Sequence, residues 1–69
     1  MTKTKIAAGR YEVTAKGATF FLTENTEYSR NDDYRWTAHL NDDFNNFVAC
    51  GSTLRGCMEW LSDYIAEEL

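Results

Sequence analysis

The chain has no proline, one histidine, two cysteines and four scattered glycines. Each shortage excludes something. Without proline, no element has to break where an N–H is missing. One imidazole and two thiols are too few for a zinc site. Glycines this dispersed form no phosphate-cradling loop. No apolar run reaches the roughly 20 residues of a membrane span, and no signal-peptide core is present, so a cytosolic location is expected. Cys50 and Cys57 then read as two buried thiols, and a disulfide is not implied.

Charge of one sign is also scarce, and unevenly so. Lys3, Lys5 and Arg10 fall in the first ten residues, which hold no acid. The rest of the chain carries four basic side chains against all eleven acids. A body this acidic repels nucleic acid and favours a basic partner, although solubility alone also accounts for it. Basic residues interleaved with aromatics, as a nucleic-acid platform needs, are missing from this body. Direct nucleic-acid binding and membrane association are therefore not expected.

What is present suits one small folded domain over residues 1–69. Apolar residues make up 43% and aromatic residues 14% of the 69 positions, enough for a core rather than disorder. A chain of this size buries only about 60% of the surface its unfolded state exposes, so its stability is marginal.

The last eighteen residues, Ser52 to Leu69, organise the rest. Leu54, Cys57, Met58, Leu61 and Ile65 recur at helical spacing, with Ser52 or Thr53 as N-cap. Glu59, Asp63 and Glu67 form an acidic stripe on the opposite side. Like charges four apart cost a helix about 0.2–0.5 kcal/mol per pair. Glu67 and Glu68 also sit at the negative end of the helix dipole. Broken local rules on a protein with little stability to spare point to function. The alternative is a merely solvated face.

Upstream, Met1 to Ala8 reads as a basic segment frayed at its start, with Ile6 as its one anchor. Gly9 to Ala15 and Ala18 to Glu24 alternate as two strands joined by a Lys16-Gly17 turn. Tyr11, Val13, Phe20 and Leu22 are expected to face the core. Asn25 to Asp33 is a polar loop containing Tyr28, either a connector or a presented recognition loop. Tyr34 to Leu40 alternates again, placing Trp36 and Leu40 inward and His39 outward. Phe44 to Cys50 is a weaker strand, with either Phe47 and Ala49 or Val48 and Cys50 facing in. The expected fold is α+β: a three- to four-stranded antiparallel meander covered on one face by the C-terminal helix. Phe21 would be left on the uncovered face, which opens a second role as a homodimeric module. Trp60 and Tyr64 flank the helix's apolar stripe and either lap the sheet margin or emerge at its edge.

Catalytic readings are poor. His39 has no nucleophile placed beside it at a recognisable spacing. Asp32-Asp33 and Asp42-Asp43 flank one strand roughly 23 Å apart, too far to act on one bond. Asn41 to Asn46 lacks the spacing, central glycine and terminal Glu of a calcium loop. No enzyme activity, metal or cofactor is expected.

The hairpin GRYEVTAKGATFFLTE, the strand YRWTAHL ending in NDD, and the closing helix STLRGCMEWLSDYIAEEL together resemble the small accessory proteins encoded by bacteriophages and other mobile elements. Many such proteins bind and inhibit host machinery, including restriction and CRISPR defence complexes, and several are acidic. The resemblance implies a non-enzymatic inhibitor of a host protein or nucleoprotein complex. The residues themselves nominate the contact surface: Glu59, Asp63, Glu67, Asp32, Asp33, Asp42, Asp43, Tyr28 and Phe21.

Overall fold

The computed structural model describes residues 1–69. The chain order is β1 (Thr2–Ala7), β2 (Arg10–Ala15), β3 (Ala18–Glu24), β4 (Trp36–Leu40), β5 (Ala49–Gly51) and α1 (Leu54–Glu68). The five strands form one antiparallel sheet in sequence order. An α+β meander with one covering helix is therefore the fold, with one strand more than expected. No helix is long and apolar enough to cross a membrane.

The β2–β3 hairpin is set by its turn. Lys16 and Gly17 both take positive φ, 50° and 79°, the geometry whose twist matches that of paired strands. This register places Val13 opposite Phe20 and Ala15 opposite Ala18. Tyr11, Val13 and Ala15 thus share a face with Phe20 and Leu22, and all but Tyr11 are buried.

The helix starts at Thr53, whose Oγ1 accepts from the Gly56 N–H at 3.0 Å. Cys57, Leu61 and Ile65 are its buried residues. They pack with Val13, Phe20, Leu22, Ala38 and Ala49 as one core. Full burial of a Leu or Phe side chain contributes about 1.5–3 kcal/mol, so Phe20, Leu22 and Leu61 dominate it. Tyr11, Trp36, Leu40 and Leu54 lie at its margin, partly buried. Ala38, Ala49 and Gly51 are small, and this lets the helix lie close over β4 and β5. Towards β3, Tyr64 meets Phe20 edge-on at 6.1 Å and 84°.

Five local expectations are corrected. Residues 2–7 are not frayed: they form β1, paired to β2 along its length with an irregularity between Lys5 and Ala7. Tyr34 lies outside β4, which begins at Trp36. The strand expected over Phe44 to Cys50 shrinks to Ala49–Gly51. Residues 41–48 instead turn back over the second face of the sheet, starting at Asn41 with φ 54°.

This return alters His39, the fourth correction. It is buried, not solvent-facing, at 8% exposure. Its Nδ1 lies 2.7 Å from the Asn46 carbonyl, which can only accept, so Nδ1 carries the proton and donates. Nε2, 3.0 Å from the Thr37 hydroxyl, then accepts from it, while Thr37 Oγ1 accepts from Asn25 Nδ2 at 3.0 Å. One hydrogen-bonded chain therefore ties the β3–β4 loop to the β4–β5 connection. Phe44 lies 5.4 Å from the His39 ring and 6.2 Å from Phe21. The second face is thus partly roofed, and Phe21, the fifth correction, is half-buried rather than bare.

Candidate protein-docking surface

Glu59, Asp63 and Glu67 lie on the helix face turned away from Cys57, Leu61 and Ile65, and all three are exposed. Helical repetition places such side chains about 6 Å apart along one line. Arg55 Nε reaches Glu59 Oε1 at 3.3 Å, but the two side chains are 91% and 70% exposed. An ion pair this solvated contributes little and does not cancel the stripe's field. The molecule's only other ion pair joins Arg35 to Glu24, so neither Asp63 nor Glu67 has a basic partner within 4 Å. The last turn of the helix holds no basic residue.

Trp60 flanks this stripe and is 51% exposed. It emerges from the helix rather than closing over the sheet, whereas Tyr64 is half-buried against Phe20. A shallow depression along the helix is lined by Glu59, Trp60, Asp63, Tyr64, Glu67 and others. A second depression shares Trp60 and Gly56 with it and continues to Asp33 and Tyr34. The helical carboxylates and Asp33 therefore border one continuous surface with Trp60 in its middle.

The surface extends through aromatic contacts. Tyr34 stands 6.3 Å from Tyr28 and 5.5 Å from Phe47, and all three rings are exposed. Arg35 holds this loop in place. Its Nη2 and Nε donate to Glu24 Oε2 at 2.7 and 3.1 Å, and its Nη1 donates to the Tyr28 carbonyl at 2.7 Å. Asp32 has a local task as well: its Oδ1 accepts from the Tyr34 N–H at 2.8 Å, which shapes the turn beneath the aromatic ring.

The nominated residues therefore divide. Glu59, Asp63, Glu67, Asp33 and Tyr28 border the joined surface, with Asp32 supporting it. Asp42 and Asp43 are exposed on the β4–β5 connection and line neither of these depressions. Phe21 belongs to the second face under Phe44. Tyr34, Phe47 and Trp60 were not nominated. Trp60 carried a signal in that a tryptophan outside the core-facing stripe of a helix needs another surface to meet.

Neither a protein-family model, nor a curated protein, nor a solved structure matches this chain.

The surface must therefore be read from its own chemistry. It offers carboxylates and aromatic rings. The two thiols do not add a nucleophile. Burial pushes Cys57 up to about 12, with the neighbouring Cys50 adding to the shift. Burial, helped by the charge of Asp33, raises Cys50 as well. A thiol held protonated is a poor nucleophile. No group of three or more His, Cys, Asp or Glu side chains is placed to hold a metal ion.

Proposed function

We propose that this chain is a non-enzymatic binding protein that docks the Glu59–Asp63–Glu67 stripe and the adjoining aromatic surface on a basic protein partner. One observation carries the reading: a half-exposed Trp60 stands on a continuous surface between Asp33 and an acidic stripe in which Asp63 and Glu67 have no basic partner and Glu59 has only a solvated one. Trp and Tyr are the residues most enriched among energetic hot spots of interfaces. Carboxylates around them steer a positively charged partner and set its orientation. Phosphates along a nucleic-acid strand repeat at a spacing similar to that of this stripe, so a basic groove that normally holds nucleic acid fits it. Inhibition follows from occupying such a groove. The resemblance to phage accessory proteins gives the reading its biological direction: a host defence complex of the CRISPR or restriction type, met in the host cytoplasm.

Affinity capture from bacterial lysate at low salt, followed by mass spectrometry, tests this reading. The wild-type chain is expected to retain a basic protein or nucleoprotein complex. Glu59→Lys, Asp63→Lys and Glu67→Lys together are expected to lose it while circular dichroism stays unchanged. Capture of the same proteins by both chains contradicts the reading.

The second reading is a homodimer formed through the other sheet face. It rests on Ile6 and Phe44, which are 54% and 51% exposed near Phe21. The roof over Thr37 and His39 leaves only this end of the face available. Sedimentation at high concentration separates the readings, since a strict monomer removes this one.

A further inference from the structure

At the pole of the molecule away from the acidic helix, β1 is an edge strand with only β2 as neighbour. All six of its residues are exposed, so nothing covers it. Its outer edge presents backbone donors and acceptors that no strand of this chain satisfies, which is a template for one more strand. The two faces of that template differ. Lys3 and Lys5 stand opposite Val13 and Tyr11 in the register, on the same side of the sheet as the helix. On the other side, Ile6 joins Phe21 and Phe44 around an apolar recess of about 250 Å³, with Arg10 at its rim.

Charge decides what fits. The molecule's two ion pairs use Arg35 and Arg55, so Lys3, Lys5 and Arg10 have no carboxylate within 4 Å. Lys3 instead lies over the Tyr11 ring at 5.4 Å. Residues 1–10 hold no acid. A second copy pairing through β1 would add its own Lys3 and Lys5 to the same edge, and like charges on adjoining strands destabilise pairing. A strand bearing carboxylates meets the opposite condition. The recess is smaller than the roughly 300–1,000 Å³ of small-molecule sites and matches a single large apolar side chain.

We propose that β1 accepts an extended acidic peptide segment as a sixth strand. The segment alternates: carboxylates at every second position face Lys3 and Lys5. A large apolar residue from the intervening positions enters the Ile6–Phe21–Phe44 recess. Main-chain hydrogen bonds supply affinity, and the two-residue side-chain period supplies specificity. This site is separate from the acidic docking surface and does not depend on it.

The probe is a short synthetic peptide alternating Glu with Val and carrying one Phe, titrated into the full chain and followed by amide NMR. Shifts are expected over residues 2–7 and at Phe21 and Phe44, with new exchange protection in β1. Lys3→Glu with Lys5→Glu, on a fully exposed strand, is expected to weaken binding at least about tenfold. An N-methylated peptide, unable to complete the ladder, is expected not to bind. Absence of shifts overturns the proposal. So does equal binding of the N-methylated peptide, equal binding by the charge-reversed chain, or β1 protection that rises with protein concentration without peptide.

Discussion

A β-carbon placed on Gly51 would lie 2.6 Å from the Cys57 backbone nitrogen, closer than real β-carbons come to atoms beyond their own residue and its chain neighbours. The first turn of α1 is thus laid directly on the last strand, and only glycine leaves room for it. The contact fixes where the helix crosses the sheet, and hence which of its faces the solvent sees. Gly51→Ala must push helix from strand, and overpacking of this kind costs about 1–3 kcal/mol. Denaturant unfolding should show the loss. Wild-type stability in this variant would mean that the helix shifts freely.

Arg35 joins the end of β3 to the loop that carries Tyr28 and Tyr34. Arg35→Ala removes four hydrogen bonds, the longest of them to the Thr26 carbonyl at 3.5 Å, and leaves Glu24 without its cation. Hydrogen bonds to charged groups contribute about 1.5–3 kcal/mol, and Glu24 is partly solvated, so a loss near the lower figure is expected. Limited proteolysis should become faster at Arg30 within the loop, and Glu24→Gln, which keeps an acceptor, should show a smaller effect.

His39 is the link between two connections, and its removal should loosen one of them selectively. His39→Ala leaves the buried Thr37 hydroxyl without its acceptor and the Asn46 carbonyl without its donor. Unsatisfied groups of this kind cost about 1–3 kcal/mol. Amide exchange is expected to accelerate most over residues 44–48, with the helix following only the change in global stability. Uniform acceleration would show that the roof is not an independent unit.

Cys57 makes stability depend on alkaline pH. Its folded-state value lies near 12 against an ordinary 9.0, so the native state holds the proton more tightly than the unfolded state does. Unfolding then releases a proton between those two values. The contribution is fully present below pH 9.0 and is lost as pH rises towards about 12. The slope approaches about 1.4 kcal/mol per pH unit for one such group. Unfolding free energy measured across this window should fall less steeply in Cys57→Ala than in the wild type.

These relationships show what the chain's letters reveal and what they hide. The β2–β3 hairpin was legible because Lys16-Gly17 and the alternation around it are local signals. The helix was legible for the same reason, including the exposure of Glu59, Asp63 and Glu67 opposite its apolar residues. β1 was hidden because periodicity reports burial, and Thr2–Ala7 buries nothing: its order comes from backbone pairing to β2. His39 misled because alternation along β4 marks it as outward. The outward face is covered by residues 41–48, whose Phe44 and Phe47 follow no strand period. The meeting of Trp60 with Asp33 and Tyr34 is a consequence of tertiary packing across 27 positions of sequence, and no local pattern announces it.

The most direct test of the acidic docking surface is the dissociation constant of the captured partner for three chains under identical low-salt conditions. These are the wild type, the Glu59→Lys/Asp63→Lys/Glu67→Lys variant, and an Asp42→Lys control altered on the β4–β5 connection, outside both depressions. Loss of at least about 100-fold in the first variant, with the control within a few-fold of wild type, is the predicted result. Equal affinity of the wild type and the helix variant would contradict the account.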